Sequence, residues 1–345
     1  MLFPFFKVGR VSDSFVQLGS GSTPEFVPQA LPAMRKLRLS VTDACNFRCR
    51  YCMPPKGLHR TSSAGPLSIT ELVESVKWLT QFAPIERVKL TGGEPLLRAG
   101  LEELIARLTA VEGIREVSMT TNGSLLPERA QRLKEAGLAR VNVSLDSVDP
   151  SRFSDVSRGA RLENTIAGIH AAIESGLSPV KLNAVMQRST WKQEVPLLLD
   201  LAAEYKLEIR FIELMRTGSE RKWCAAELIS VEEVKSWLAT RSTLTELNVP
   251  AAAPAQQVLL QWNGTMIKVG WIAPRSKPFC EACERLRMDS RGRLRRCLMD
   301  PVTLDVPKLR KMSSAAAIEE FRSYMAGKHP PLEMDTDATM NQIGG

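Results

Sequence analysis

The chain has 345 residues, 44% hydrophobic and 24% charged, with a net charge of +8 from 46 basic and 38 acidic side chains. That balance excludes disorder over most of the length, and the size predicts two domains, or one large α/β body with an appendage. The longest charge-free stretch, Leu247–Ile267, is broken by Pro250, Pro254, Gln256, Gln257, Asn263 and Gly264, which excludes a membrane span there.

Residues 1–35 read as an extended lead-in. MLFPFFKVGR carries its first cation after a short apolar patch, the reverse of a secretory signal, and GSGSTPEFVPQALP is rich in Gly, Ser and Pro. The expected location is the cytoplasm, with import into an organelle left open. The excess of positive charge predicts an anionic partner, either nucleic acid or a phosphorylated small molecule.

From Lys36 the chain alternates. Short β-branched or apolar runs at Lys36–Val41, Arg87–Leu90, Glu116–Met119, Val141–Leu145, Val180–Val185 and Glu208–Ile212 have strand length. Ser68 and Glu71 are spaced as a capping box ahead of Leu72, Val73, Val76 and Leu79, and further helical patterns cover 99–112, 126–136, 162–175 and 193–205. Six βα units in succession predict an α/β fold with a parallel sheet. After Glu213 the pattern changes. A helix over 230–240 and a linker at Ala251–Ala255 lead to a hairpin around Asn263-Gly264. A second hairpin is expected around Asp289–Arg291, and a last helix over 314–326 precedes a polar tail, 328–345. The expected division falls near residue 220, giving segments 36–220 and 221–327.

Seven cysteines, an odd number, favour metal or catalysis over disulfides in a reducing compartment. Cys45, Cys49 and Cys52 stand within CNFRCRYC, directly after the first strand. Structural zinc wants four ligands, and no fourth Cys or His lies in this loop. Three thiolates on a four-iron cluster leave one iron open for chemistry. This spacing, with Tyr51 before the last cysteine, resembles the radical S-adenosylmethionine enzymes. The resemblance implies a partial (β/α)6 barrel of the TIM type. It also implies a cluster whose open iron chelates S-adenosylmethionine, which one electron cleaves to a 5′-deoxyadenosyl radical.

Other pieces are expected on the carboxyl-end rim, where barrel enzymes place their chemistry. They are Gly92-Gly93-Glu94-Pro95, Thr120-Thr121-Asn122-Gly123, Ser144-Leu145-Asp146, Lys181 with Asn183, and Glu213-Leu214-Met215. Gly92 and Gly93 would let backbone approach a ligand closely. Cys280, Cys283 and Cys297 form a second trio, for which a zinc ribbon is the rival reading; Cys224 reads as a small apolar residue. Arg285, Arg287, Arg293 and Arg295 alternate around Ser290-Arg291-Gly292. A turn centred on residue 290 would set Cys283 opposite Cys297, Arg285 opposite Arg295 and Arg287 opposite Arg293. Four guanidiniums on one face predict a phosphate-bearing substrate, because like charges directly opposite are unfavourable without an anion among them.

Both trios, the RLR run and the terminal Gly344-Gly345 resemble the GTP 3′,8-cyclase family of molybdenum-cofactor biosynthesis, from about Lys36 to the end. That family's activity implies loss of hydrogen from ribose C3′ of GTP, closure onto guanine C8, and a second four-iron cluster binding the guanine. Position by position, the resemblance assigns Cys45, Cys49 and Cys52 to the first cluster and Cys280, Cys283 and Cys297 to the second. Tyr51, Gly93, Ser144 and Met215 fall to S-adenosylmethionine. Arg38, Lys89, Thr120, Lys181, Arg285 and Arg287 fall to GTP, and Gly344 and Gly345 to a tail entering the active site. GTP, S-adenosylmethionine, an electron donor and the next enzyme of the molybdopterin pathway are the implied partners of a monomer or homodimer, with no nucleic acid or membrane. Glu284 stands where the family commonly has Asn. Two alternatives are a peptide-modifying radical enzyme with an auxiliary cluster and a zinc-stabilised nucleic-acid-binding protein.

Overall fold

Each of the early strands carries two different faces. In KLRLS, RVKLT and RVNVS every second residue is apolar and the others are charged or polar. Strands of a parallel sheet usually read as near-continuous apolar runs, because helices cover both faces. Here only one face is covered. The computed structural model describes residues 34–57, 65–217, 220–331, 335–336 and 340; Gly344, Gly345 and the lead-in before Met34 lie outside the described residues.

Strands β1 (Lys36–Ser40), β2 (Arg87–Thr91), β3 (Glu116–Thr121), β4 (Arg140–Ser144), β5 (Lys181–Met186) and β6 (Glu208–Glu213) lie side by side in chain order, all parallel. Between them run α1 (Ile69–Thr80), α2 (Leu101–Thr109), α3 (Ala130–Glu135), α4 (Pro150–Ser157), α5 (Leu162–Glu174) and α6 (Trp191–Glu204). The capping box is present: Ser68 Oγ accepts from the Glu71 amide at 3.2 Å, and the Ser68 amide donates to Glu71 Oε2 at 2.8 Å. Helix α4 has no counterpart among the predicted elements, although Asp149-Pro150 carries its signal, a side-chain N-cap followed by proline at the first helical position.

The apolar half of each strand, with Leu37, Leu39, Leu90, Val141, Val143 and Leu182 fully buried, packs on Leu72, Val76, Leu104, Ile105 and Leu133 of the helices. Each such side chain contributes about 1.5–3 kcal/mol, so one face suffices to hold the sheet and the other is free to be polar.

The rest of the chain comprises β7 (Arg216–Thr217), α7 (Arg221–Ala226), α8 (Val231–Ala239), β8 (Leu244–Leu247), β9 (Gln256–Trp262), β10 (Thr265–Ile272), β11 (Arg285–Met288), β12 (Arg293–Arg295), β13 (Leu304–Asp305), α9 (Val306–Leu309), α10 (Ser314–Ala326) and β14 (Asp335–Thr336). Both expected hairpins form. The first, β9–β10, turns at Asn263 (φ 46°) and Gly264 (φ 79°) and lays β10 parallel to β6. The second, β11–β12, lays β11 parallel to β1. The result is an open 12-stranded sheet, β13-β12-β11-β1-β2-β3-β4-β5-β6-β10-β9-β8, a partial TIM-type barrel that does not close. Among the described residues no helix is long and apolar enough to cross a membrane.

The register of the second hairpin differs from the expected one. Arg287 faces Arg295 and Met288 faces Leu294, a shift of two residues. The cause lies in the turn. Asp289 accepts from the amides of Arg291 (2.9 Å) and Arg293 (3.0 Å), and Gly292 takes φ 80°, so the loop closes between Asp289 and Arg293. A two-residue shift keeps every side chain on its face, but it parts the four arginines. Arg293 sits opposite Asp305 and forms an ion pair with Asp289 at 2.6 Å, and Arg295 donates to the Asp300 carbonyl at 2.8 Å.

Candidate active site

The polar faces of the strands enclose a cavity of about 670 Å³, lined by all six cysteines of the two trios. Tyr51, Gly93, Ser144 and Met215 line it as well, as do Arg38, Lys89, Thr120, Lys181, Arg285 and Arg287. Every predicted site residue within the described part of the chain is therefore on one wall or another of a single chamber. Arg293 and Arg295 are not on it, whereas Arg296 is.

The first trio follows the carboxyl end of β1. Its loop is pressed against the loop after β2: the amides of Gly93 and Glu94 donate to Thr42 O and Ala44 O, both at 2.8 Å. A Cβ on Gly92 would stand 2.4 Å from Thr42 O, and one on Gly93 would stand 2.1 Å from Ala44 O. The two glycines thus serve a backbone-to-backbone approach between loops, and both line the cavity. The Cys52 amide donates to Cys49 O at 2.9 Å, a tight turn that gathers the sulfurs. Burial raises the Cys45 thiol to about 11, and burial, Asp146 and the neighbouring Cys52 and Cys45 raise Cys49 well above the usual thiol range. Partly buried thiols gathered in one loop, with Cys45 and Cys49 resisting ionisation alone, fit a soft cationic centre that would hold the trio as thiolates.

The second trio sits at the other end of the strands. Lys36, the first residue of β1, is the register partner of Arg285, so Cys280 and Cys283 precede the amino end of the sheet. The length of β1, at about 3.3 Å per residue, puts roughly 15 Å of cavity between the two ends. Burial and the nearby Cys297 and Cys283 raise the Cys280 thiol, whereas Arg285 and Lys328 outweigh burial and lower Cys283. Cys224, read from the sequence as a small apolar residue, is completely buried on α7 and does not line the cavity. Among the described residues no three His, Cys, Asp or Glu side chains converge on a single point as one bound ion requires.

Between the trios the wall is cationic. Arg287, Arg38, Lys89, Ser118 and Arg140 form one row of register partners across five strands. Burial and then Arg285 lower Arg38 to about 10; burial, Arg140, Arg38 and Arg210 lower Lys89 well below the usual ammonium range; burial, Arg38 and Arg285 lower Arg287 strongly. Buried like charges side by side are costly, and a polyanion is the natural compensation. On the far side Arg140 is held by Glu116 at 2.7 Å, and Lys181 and Arg210 by Glu208 at 2.6 and 2.8 Å. Lys181 opens β5 at its amino end, and Arg38 and Lys89 lie mid-strand. The expectation of a single carboxyl-end rim therefore fails for Lys181: the cavity runs the length of the strands because no apolar layers fill the inside of this unclosed barrel.

Arg140, Arg210, Glu116 and Glu208 were not among the expected site residues; the polar phase of the strand alternation carried their signal. Two carboxyls beside the first trio stand out chemically. Burial raises Asp146 to about 6, where it accepts from the Tyr51 hydroxyl (2.6 Å) and the Val185 amide (2.8 Å). Burial raises Glu94 to about 7 although it accepts from Thr121 Oγ1, the Asn122 amide and the Leu96 amide. A raised acid stabilises the fold fully below its unfolded pKa and loses that contribution as pH rises through the folded value. Relative to Glu94→Gln, the unliganded protein should therefore lose up to about 3 kcal/mol between pH 4.5 and 7. Parallel stability-versus-pH curves for the two proteins would refute this. Glu284, the departure from the family pattern, ion-pairs at 3.1 Å with Lys36, which lines the cavity, but is not itself on the cavity wall.

Comparison with known proteins agrees with the geometry. The Radical SAM superfamily profile matches residues 39–202, and the Molybdenum Cofactor Synthesis C profile matches residues 207–333. A GTP 3′,8-cyclase of Pelotomaculum thermopropionicum is 41% identical over 318 residues, which covers 90% of this chain and 97% of the relative. One from Streptomyces coelicolor is 37% identical, covering 90% of this chain and 93% of the relative. Among solved structures, Streptococcus suis SuiB bound to S-adenosylmethionine has a TM-score of 0.61 at 14% identity, covering 88% of this chain and 67% of SuiB. The anSMEcpe structure with bound AdoMet has a TM-score of 0.57 at 14% identity, covering 86% of this chain and 84% of that one. These two share the fold.

Proposed function

This chain belongs to the GTP 3′,8-cyclase family of radical S-adenosylmethionine enzymes, and on that premise we propose that it converts GTP to (8S)-3′,8-cyclo-7,8-dihydroguanosine 5′-triphosphate, the first step of molybdenum-cofactor biosynthesis. The observation that carries the reading is the shared chamber: two cysteine trios at opposite ends, with a half-buried row of cations between them.

Cys45, Cys49 and Cys52 would hold the four-iron cluster of the superfamily. With S-adenosylmethionine bound, that centre supplies the 5′-deoxyadenosyl radical. Gly93, Ser144, Met215 and the Tyr51 backbone would seat S-adenosylmethionine. A second four-iron cluster on Cys280, Cys283 and Cys297 would present the guanine. Arg38, Lys89, Lys181, Arg285 and Arg287, with Thr120, would clamp the triphosphate through charge-assisted contacts, the guanidiniums in bidentate fashion. Their positive charges would meet the roughly four negative charges of the triphosphate, so the same residues bind GTP in preference to uncharged nucleosides. Gly344 and Gly345, outside the described residues, would belong to a tail entering the active site, as the family resemblance implies. Residues 36–220 would then form the radical-generating part and 221–327 the substrate-presenting part, served by an external electron donor and followed by the next enzyme of the pathway.

Anaerobic reconstitution with iron, sulfide, GTP, S-adenosylmethionine and a reductant should yield 5′-deoxyadenosine together with the cyclised nucleotide by mass spectrometry. GTP recovered unchanged while 5′-deoxyadenosine accumulates would overturn the substrate assignment. Iron and sulfide near eight per chain are expected from two clusters; about four would remove the second, and zinc without sulfide would favour the nucleic-acid-binding alternative.

A further inference from the structure

Lys328 does not line the cavity, yet it meets the second trio from behind. It follows Gly327, the C-cap of α10. Its ammonium donates to the carbonyls of Arg296 at 2.6 Å and Arg285 at 3.1 Å, and lies 3.9 Å from Cys283 Sγ. An ammonium has three donors, and all three are directed at the two arms of the hairpin that carry the cysteines. Arg296 immediately precedes Cys297, and Arg285 follows Cys283 by two residues. The end of α10 is built to deliver this group. A Cβ on Gly327 would stand 1.9 Å from Arg296 Nη1, so only glycine leaves room for Arg296 to donate to Tyr324 O at 2.7 Å and lie over the Tyr324 ring. The Tyr324 hydroxyl in turn accepts from the Arg296 amide at 3.1 Å and lies 3.0 Å from Leu294 O.

From this arrangement we infer that Lys328 is a positioning residue of the second trio, holding both cysteine arms in register and placing a fixed positive charge at the Cys283 sulfur. The inference rests on the reading of that trio as a cluster site. A cation at a ligating sulfur favours the more negative, reduced state of an iron–sulfur centre, since cluster potentials follow net charge and hydrogen bonding at the sulfurs. Lys328, which does not line the cavity, would therefore hold the potential of a centre on this trio above the value it would have otherwise.

The test uses the full-length chain with Cys45→Ala, Cys49→Ala and Cys52→Ala, so that any remaining cluster belongs to the second trio. Iron and sulfide in this background come first; their absence sinks the cluster reading and not the role of Lys328 as such. With cluster present, redox titration followed by electron paramagnetic resonance compares Lys328→Met, Lys328→Arg and Tyr324→Phe. A more negative midpoint in Lys328→Met, restored in Lys328→Arg and unmoved in Tyr324→Phe, is the expected pattern. An unchanged midpoint in Lys328→Met, or an equal shift in Tyr324→Phe, overturns the inference. If Lys328→Met takes up no cluster, Lys328→Gln is titrated in its place; loss of cluster in Lys328→Arg as well would mark a structural role only and overturn it too.

Discussion

Cys280→Ala is expected to cleave S-adenosylmethionine measurably while losing conversion of GTP by at least about 100-fold, because removing a ligand costs no less than removing the groups that orient ligands. The trios stand at opposite ends of the strands, so damage at one leaves the loop of the other, its contacts with Gly93 and Glu94 included, in place. Cys45→Ala should stop both reactions. Chromatography of 5′-deoxyadenosine and nucleotide from one reaction mixture separates the two outcomes. Cyclised nucleotide at the wild-type rate from Cys280→Ala would take the second trio out of the mechanism.

Arg287→Met should weaken GTP binding. Loss of one charge-assisted contact to phosphate, about 1.5–3 kcal/mol, lowers the affinity by roughly 10–150-fold. Methionine keeps most of the apolar stem, so the loss is one of charge and of forked donors rather than of packing. Calorimetry with GTP checks the effect, and an unaltered GTP affinity would count against the triphosphate clamp.

Much of this site could be read from residue order alone. The two trios declared themselves by spacing, and the charge alternation in KLRLS, RVKLT and RLRMD announced strands with one polar face. What alternation cannot say is where that face looks. Lys181 was expected on the carboxyl-end rim because neighbouring motifs lie there, and only the pairing of β5 with Glu208 on β6 puts it at the opposite end. The hairpin register escaped because Asp289 closes the turn with its side chain, a local hydrogen-bond choice that competes with a simple mirror about residue 290. Glu94 and Asp146 were visible as letters within motifs, but their shifted ionisation comes from burial, which depends on neighbours far away in sequence. Glu284 was visible only as a departure from the family pattern; its ion pair with Lys36 comes from the β1–β11 pairing, which brings together residues far apart in sequence.

That pairing has a temporal side. Lys36 leaves the ribosome 249 residues before Arg285, its partner in the sheet. At about 5–20 residues per second, β1 waits roughly 12–50 s with one row of amides and carbonyls unclaimed. During translation the edge of the half-made barrel is thus an open template for any extended segment, including another nascent chain of its own kind. Lys36 and Arg38 on that strand, repelling an identical copy laid alongside, guard it until the hairpin arrives.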